Sequence, residues 1–193
     1  TALKSSNIPD GVPMIDRHTF AYCASLSSIT IPDSVTEISS EAFVQCTSLT
    51  SINIPDSVTK IGSDAFLGCT SLTSINISNS VSEIRFNAFQ NCNSLESITI
   101  PDSVITIKGS AFEQCTSLTQ IICNNPDLFT DKNIDNRDQI QFISTTDYFN
   151  DNYQELLSTI EDSGFNSSHV TSKELDLIMK LCQEDYLPNW NII

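Results

Sequence analysis

Glycine is scarce in this chain, with five in 193 residues. None stands in the pattern of a phosphate-cradling loop, so nucleotide binding of that kind is excluded. Basic residues are also few: 9 Lys and Arg face 24 Asp and Glu, for a net charge of −15. Phosphate backbones and anionic headgroups repel such a chain, so neither nucleic acid nor membrane surfaces are expected partners; basic protein surfaces stay open. There are two histidines, His18 and His169, far apart in sequence. Neither has an evident base or metal role, and both are expected to face solvent. Seven cysteines are present, but no Cys-x-x-Cys pair of the sort that opens a metal site. No apolar run approaches the roughly 20 residues of a membrane span, and no charged and apolar leader precedes Thr1. The chain begins with Thr1 where an intact one would have Met, and reads as an excised or processed fragment.

What the chain does have is a period. Ile-Pro-Asp-Ser-Val starts at Ile31, Ile54 and Ile100, with altered copies Ile77-Ser-Asn-Ser-Val81 and Ile8-Pro-Asp-Gly-Val12 in the same frame, each start 23 residues after the last. A fixed period of this size marks a solenoid, in which units too small to bury their own apolar face stack on copies of themselves. Within a unit, Leu49-Thr-Ser-Ile-Asn-Ile54 ends in alternation, which predicts a strand with Ile52 and Ile54 inward and Ser51 and Asn53 outward. Pro55 lacks an N–H for the ladder and suits the second position of a turn, so the strand ends there. Ser39–Cys46 has apolar residues at 42, 43 and 46, a spacing that predicts a helical turn or two. Stacking aligns Leu26, Leu49, Leu72, Leu95 and Leu118 in one column, Ile29, Ile52, Ile75, Ile98 and Ile121 in a second, and Phe20, Phe43, Phe66, Phe89 and Phe112 in a third. Cys23, Cys46, Cys69, Cys92 and Cys115 follow each Phe by three and form a fourth column, read as small buried residues rather than bridges or ligands. Cys123 and Cys182 fall outside it, and a disulfide between them stays open.

The consensus Leu-x-x-Ile-x-Ile-Pro-Asp-Ser-Val-x-x-Ile-x-x-x-Ala-Phe-x-x-Cys resembles the BspA-like leucine-rich repeat, over residues 8 to about 123. The end copies depart from it, with Gly11 for Ser, Thr19-Phe20 for Ala-Phe and Cys123 for the second strand isoleucine. The resemblance implies an α/β repeat solenoid, a right-handed coil with a parallel sheet on its concave side. It also implies a binding role in a secreted, surface or effector protein of a microbe, and it transfers no catalytic residue. Residues 1–123 are therefore expected to form a five-rung solenoid.

Projecting from the concave sheet are Ser28, Thr30, Ser51, Asn53, Ser74, Asn76, Ser97, Thr99 and Gln120, followed by Ile122. This strip is the candidate site for a protein partner, although it lacks the Tyr, Trp and Arg that dominate interface energetics. Acidic side chains, Asp33, Glu37, Glu41, Asp56, Asp64, Glu83 and Asp102, fall elsewhere, on turns and the convex side. A monomer is expected, with no cofactor and no metal. Asp131-x-Asn133-x-Asp135 begins like a calcium loop, but Asn136 and Phe142 occupy the positions that need Gly and Glu.

From Asn124 the period vanishes, so residues 124–193 are expected to be a C-terminal α-helical cap or a small helical domain. Asn125-Pro126 predicts a short helix start. Two amphipathic helices are expected, one from Asp151 with Tyr153, Leu156, Leu157 and Ile160 on one face, one from Thr171 with Leu175, Ile178, Met179 and Cys182. The alternative for this segment is an enzyme or ubiquitin-pathway adaptor, with the repeats selecting the substrate: Cys182 followed by Asp185 resembles the pattern of repeat-bearing bacterial ubiquitin ligases, and that resemblance implies Cys182 as nucleophile. The apolar helix face would bury Cys182 and blunt its reactivity.

Overall fold

The computed structural model describes residues 3–148. The chain divides into two compact units, Thr1–Ser144 and Thr145–Ile193. The first is a parallel β-solenoid of about six turns. Each turn contributes a three-residue strand that begins where the Leu-x-x-Ile-x-Ile pattern alternates. These strands are β1 (Ser5–Asn7), β3 (Ser28–Thr30), β5 (Ser51–Asn53), β7 (Ser74–Asn76), β9 (Ser97–Thr99), β11 (Gln120–Ile122) and β12 (Gln141–Ile143). Register follows the repeat: Ser5 pairs with Ser28, Ser51 with Ser74, and Ser97 with Gln120. Thr50 N–H bonds to the Ser27 oxygen at 3.3 Å, carrying the stack across β3 and β5.

A second parallel ladder was not expected from the sequence. It joins β2 (Met14–Ile15), β4 (Glu37–Ile38), β6 (Lys60–Ile61), β8 (Glu83–Ile84) and β10 (Thr106–Ile107). Its strands have two residues each, too few to show an alternation. Ile15, Ile38, Ile61 and Ile84 point inward and are buried.

The third side differs from expectation. Residues 39–46 form successive turns and no helix. The reason lies in two left-handed residues per rung: Glu41 has φ 60° and Gln45 φ 59°, with Asp64, Asn87, Asn91 and Gln114 among their equivalents. Left-handed backbone costs about 1–2 kcal/mol for an ordinary L-residue. Here it turns N–H groups toward the next rung, where partners wait. Glu41, Phe43 and Gln45 donate to the oxygens of Ser63, Ala65 and Leu67 at 3.0, 2.9 and 2.8 Å. All three sides are thus sewn together rung by rung, and no buried main chain depends on a helix.

The core is one continuous cluster built from the columns the period aligns. Phe43, Phe66 and Phe89 are fully buried, and ring centroids from Phe20 to Phe112 stand 5.2, 5.3, 5.5 and 5.4 Å apart in stacked order. The stack continues past residue 123, where the sequence suggested a boundary. Phe129 and Phe142 extend the Phe column with tilted rings, Ile134 and Ile140 are buried, and β12 pairs with β11. Pairing of Gln120 with Gln141 spaces this turn at 21 residues, two short of the period, and no Pro-Asp-Ser-Val marks it. A search at a period of 23 therefore misses it. The helix start at Pro126 is a 3-10 turn, Pro126–Leu128. A short helical stretch occupies 145–148. The two amphipathic helices, His169 and Cys182 lie outside the described residues.

Candidate functional site

The strip predicted from the repeat comes together on one face. Ser28, Thr30, Ser51, Asn53, Ser74, Asn76, Ser97 and Thr99 are exposed, and Gln120 is partly so, with Ile29, Ile52, Ile75, Ile98 and Ile121 buried between them. Parallel strands set the rungs about 4.8 Å apart, so the side chains form two regular columns. Asn76 Nδ2 donates to Asn53 Oδ1 at 2.9 Å, which fixes both amides. Ile122, expected to project, is instead buried, because β12 continues the sheet beside it with Ile143 opposite.

A neighbouring column shows what a structural hydroxyl looks like in this fold. Ser27, Thr50, Thr73 and Thr119 each donate to a carbonyl of the preceding rung, on Lys4, Ser27, Thr50 and Glu96. Among the described residues, the hydroxyls of Ser28, Ser51, Ser74 and Ser97 have no such side-chain bond. The first column is spent on the scaffold and the second is not.

Charge is arranged by side. The second ladder carries ion pairs: Lys60 Nζ lies 2.6 Å from Glu37, and Lys108 and Arg85 each lie 3.2 Å from Glu83. Arg17 and His18 both meet Glu41, His18 Nε2 at 2.7 Å, so His18 is partnered rather than idle. These two donors hold the Glu41 carboxyl below its ordinary range, His18 contributing most. By contrast, the turn aspartates Asp10, Asp33, Asp56 and Asp102 are exposed, and none joins an ion pair among the described residues. The strip is therefore neutral with an acidic border.

The cysteine column is structural. All six cysteines among the described residues are free thiols, and Cys46, Cys69, Cys92 and Cys115 are buried. Burial pushes Cys46 and Cys115 up to about 12, where no thiolate forms at neutral pH. The calcium-like segment is also committed to the fold. Asn133 is buried, donating to the Ile107 and Leu128 oxygens and accepting from Thr130 N–H, while Asp135 accepts from Gln114 N–H. Among the described residues no helix is long and apolar enough to cross a membrane.

Stacked short strands, inward isoleucine and phenylalanine columns and an exposed polar strip define a leucine-rich-repeat solenoid. The chain belongs to the BspA-type leucine-rich repeat family: the model of that region, in six copies, matches residues 1–119 and 36–180. Similar solved structures include a leucine-rich-repeat protein of T. pallidum, at 33% identity and TM-score 0.60, covering 62% of this chain and 58% of that one. Another is a leucine-rich cell surface protein of Faecalibacterium prausnitzii, at 27% identity and TM-score 0.58, covering 75% of this chain and 48% of that one. A leucine-rich-repeat protein of Eubacterium ventriosum matches at 28% identity and TM-score 0.58, with coverage of 61% and 32%. This chain thus spans less than two thirds of each of these structures. No curated protein matches it.

Proposed function

We propose that this chain is a non-catalytic protein-interaction module that acts as a monomer and presents the strip on a curved solenoid face to a protein partner. The observation that carries this reading is the division of labour between adjacent columns. Hydroxyls at 27, 50, 73 and 119 close the scaffold, whereas those at 28, 51, 74 and 97 serve no bond within it. Regular polar groups at strand spacing suit an extended protein surface, and the acidic border favours a basic one. Family membership and the cell surface protein among the similar structures support a microbial secreted, surface or effector protein that engages a host protein.

A decisive test replaces Asn53 and Asn76 together by Arg in the full chain, which plants two long cations in the middle of the strip. Binding to host protein, extracellular matrix included, is expected to fall while the thermal melt stays in place. Undiminished binding by that variant would move the interface off the strip. The cap expected of the C-terminal segment from the sequence is tested by removing residues 145–193, which should then produce aggregation. A soluble, cooperatively folding remainder would mark them as an independent domain.

A further inference from the structure

On the flank of rung five an exposed aliphatic side chain stands where the three preceding rungs carry hydroxyls. Thr36 and Thr59 occupy one such position and donate to the oxygens of Pro13 and Thr36. Ser82 follows in the next rung, and then Ile105, which is 74% exposed. Ile105 keeps the main-chain bond to Ser82 at 3.0 Å, but its side chain satisfies no carbonyl. A single exposed aliphatic is ordinary on a protein surface, and only a contiguous apolar patch marks a contact site.

Ile105 does not stand alone. Because the sixth turn is short, Asn124-Asn125-Pro126 replaces the Pro-Asp-Ser-Val loop that would otherwise stack here. A cavity of about 260 Å³ remains, with Ile100, Val104, Ile105 and Leu128 as its apolar lining and Cys123 beside them. Among the described residues Asp102 is the single charged side chain of the lining, with both carboxylate oxygens accepting from Asn124 Nδ2 at 3.0 and 3.1 Å. Exposed Asp127 adjoins Leu128 in the 3-10 turn. Among the described residues the lining is mostly apolar, with Asp102 as its acidic group and no cation.

We propose that this hollow is a second docking surface, which takes a protein segment presenting an aliphatic side chain next to a lysine or arginine. The aliphatic group covers Ile105 and enters between Val104 and Leu128, and the cation meets Asp102. Charge complementarity selects this occupant, since an acidic segment would be repelled by Asp102, Asp127 and the net charge of −15. The hollow shares Asp102 with the acidic border of the strip but contains none of the strip's own side chains.

The repeat supplies the controls. Ile105→Thr installs the residue found at Thr59, and Asp102→Asn the residue found at Asn79, so both variants should fold, with unchanged thermal melts as the check. A displayed library of random dodecapeptides is selected on the full chain and counter-selected on the Ile105→Thr chain. Recovered peptides are expected to share an aliphatic–basic pair and to bind each variant at least about tenfold more weakly, the scale of one lost aliphatic contact or one lost charge pair. Raised salt should weaken them further, and Asn53→Arg with Asn76→Arg should leave them unchanged. Recovery of peptides without that pair, recovery of none, or equal affinity for the parent and both variants would overturn the proposal.

Discussion

The thiol of Cys69 donates to the main-chain oxygen of Phe43, 3.2 Å away in the preceding rung. That same oxygen accepts Cys46 N–H at 3.2 Å, so both its lone pairs are used in a dry core. The bond recurs from Cys46 to Phe20, Cys92 to Phe66 and Cys115 to Phe89. Cysteine fits this column because it combines small apolar bulk with a donor long enough to span a rung. Alanine would leave the carbonyl one partner short.

The thiol column should make the fold sensitive to alkali. Burial raises the folded pKa values, to about 12 for Cys46 and Cys115, whereas an unfolded thiol titrates near about 8.5. Between those values the unfolded chain releases protons that the folded chain keeps, so stability is intact below about pH 8.5 and falls as pH rises. Melting temperatures from pH 8 to 11 are expected to decline less steeply for Cys46→Ala/Cys115→Ala than for the parent. Identical slopes would show that these thiols titrate alike in both states.

Aromatic truncation should depend on position along the stack. Phe66→Ala is expected to cost about 3–5 kcal/mol in denaturant unfolding, since its ring is buried between Phe43 and Phe89. Phe20 is only partly buried and stacks on Phe43 alone, so Phe20→Ala should cost clearly less. Equal losses would contradict a column that is open at its first rung.

Asn133→Ala tests whether residues 124–144 belong to the stack. Its side chain serves Ile107, Leu128 and Thr130, and stranding such buried groups costs about 1–3 kcal/mol each. A loss of at least about 2 kcal/mol in the same cooperative transition as Phe66→Ala is expected. A change confined to a separate, earlier transition would detach this turn from the solenoid.

Stability should be indifferent to the strip. Ser51→Ala and Ser74→Ala are expected within about 0.5 kcal/mol of the parent, as for exposed positions without structural bonds. Thr50→Val should lose more than either, because its hydroxyl caps Ser27. A larger loss at Ser51 would assign it a scaffold role and weaken its candidacy for binding.

At the first rung, Glu41 should titrate below the ordinary glutamate range by carboxyl NMR, and His18→Ala should return it upward. Its contribution is present above the ordinary glutamate pKa and is lost as pH falls through the lowered one. An unchanged Glu41 titration in that variant would show that the contact at 2.7 Å is not populated in solution.

Much of the solenoid was legible because a repeat states its core several times. Columns such as Leu49 and Leu72 or Ile52 and Ile75 could be read from spacing alone, as could the outward strip, since strand alternation leaves one choice of face. Rung six was not legible, for Phe129, Ile134 and Phe142 keep the chemistry of the columns but not their spacing. Left-handed positions were also hidden, because Tyr22, Glu41, Gln45 and Gln114 are not residues that announce positive φ, although His18, Asp64, Gly68, Asn87 and Asn91 hint at it. Asn133 resembled a calcium ligand in one dimension, and only its buried bonds to Ile107 and Leu128 exclude that use.

By itself the sequence determined the period, the inward columns, the polar strip and the acidic balance, because burial and alternation are local properties repeated in register. Tertiary structure alone decided which hydroxyls are spent and which are available, since Thr50 and Ser51 are adjacent in sequence and differ only in what the neighbouring rung offers them. It also decided that Ile105 borders a hollow, because that depends on how the short turn after Cys123 fails to cover the loop before it.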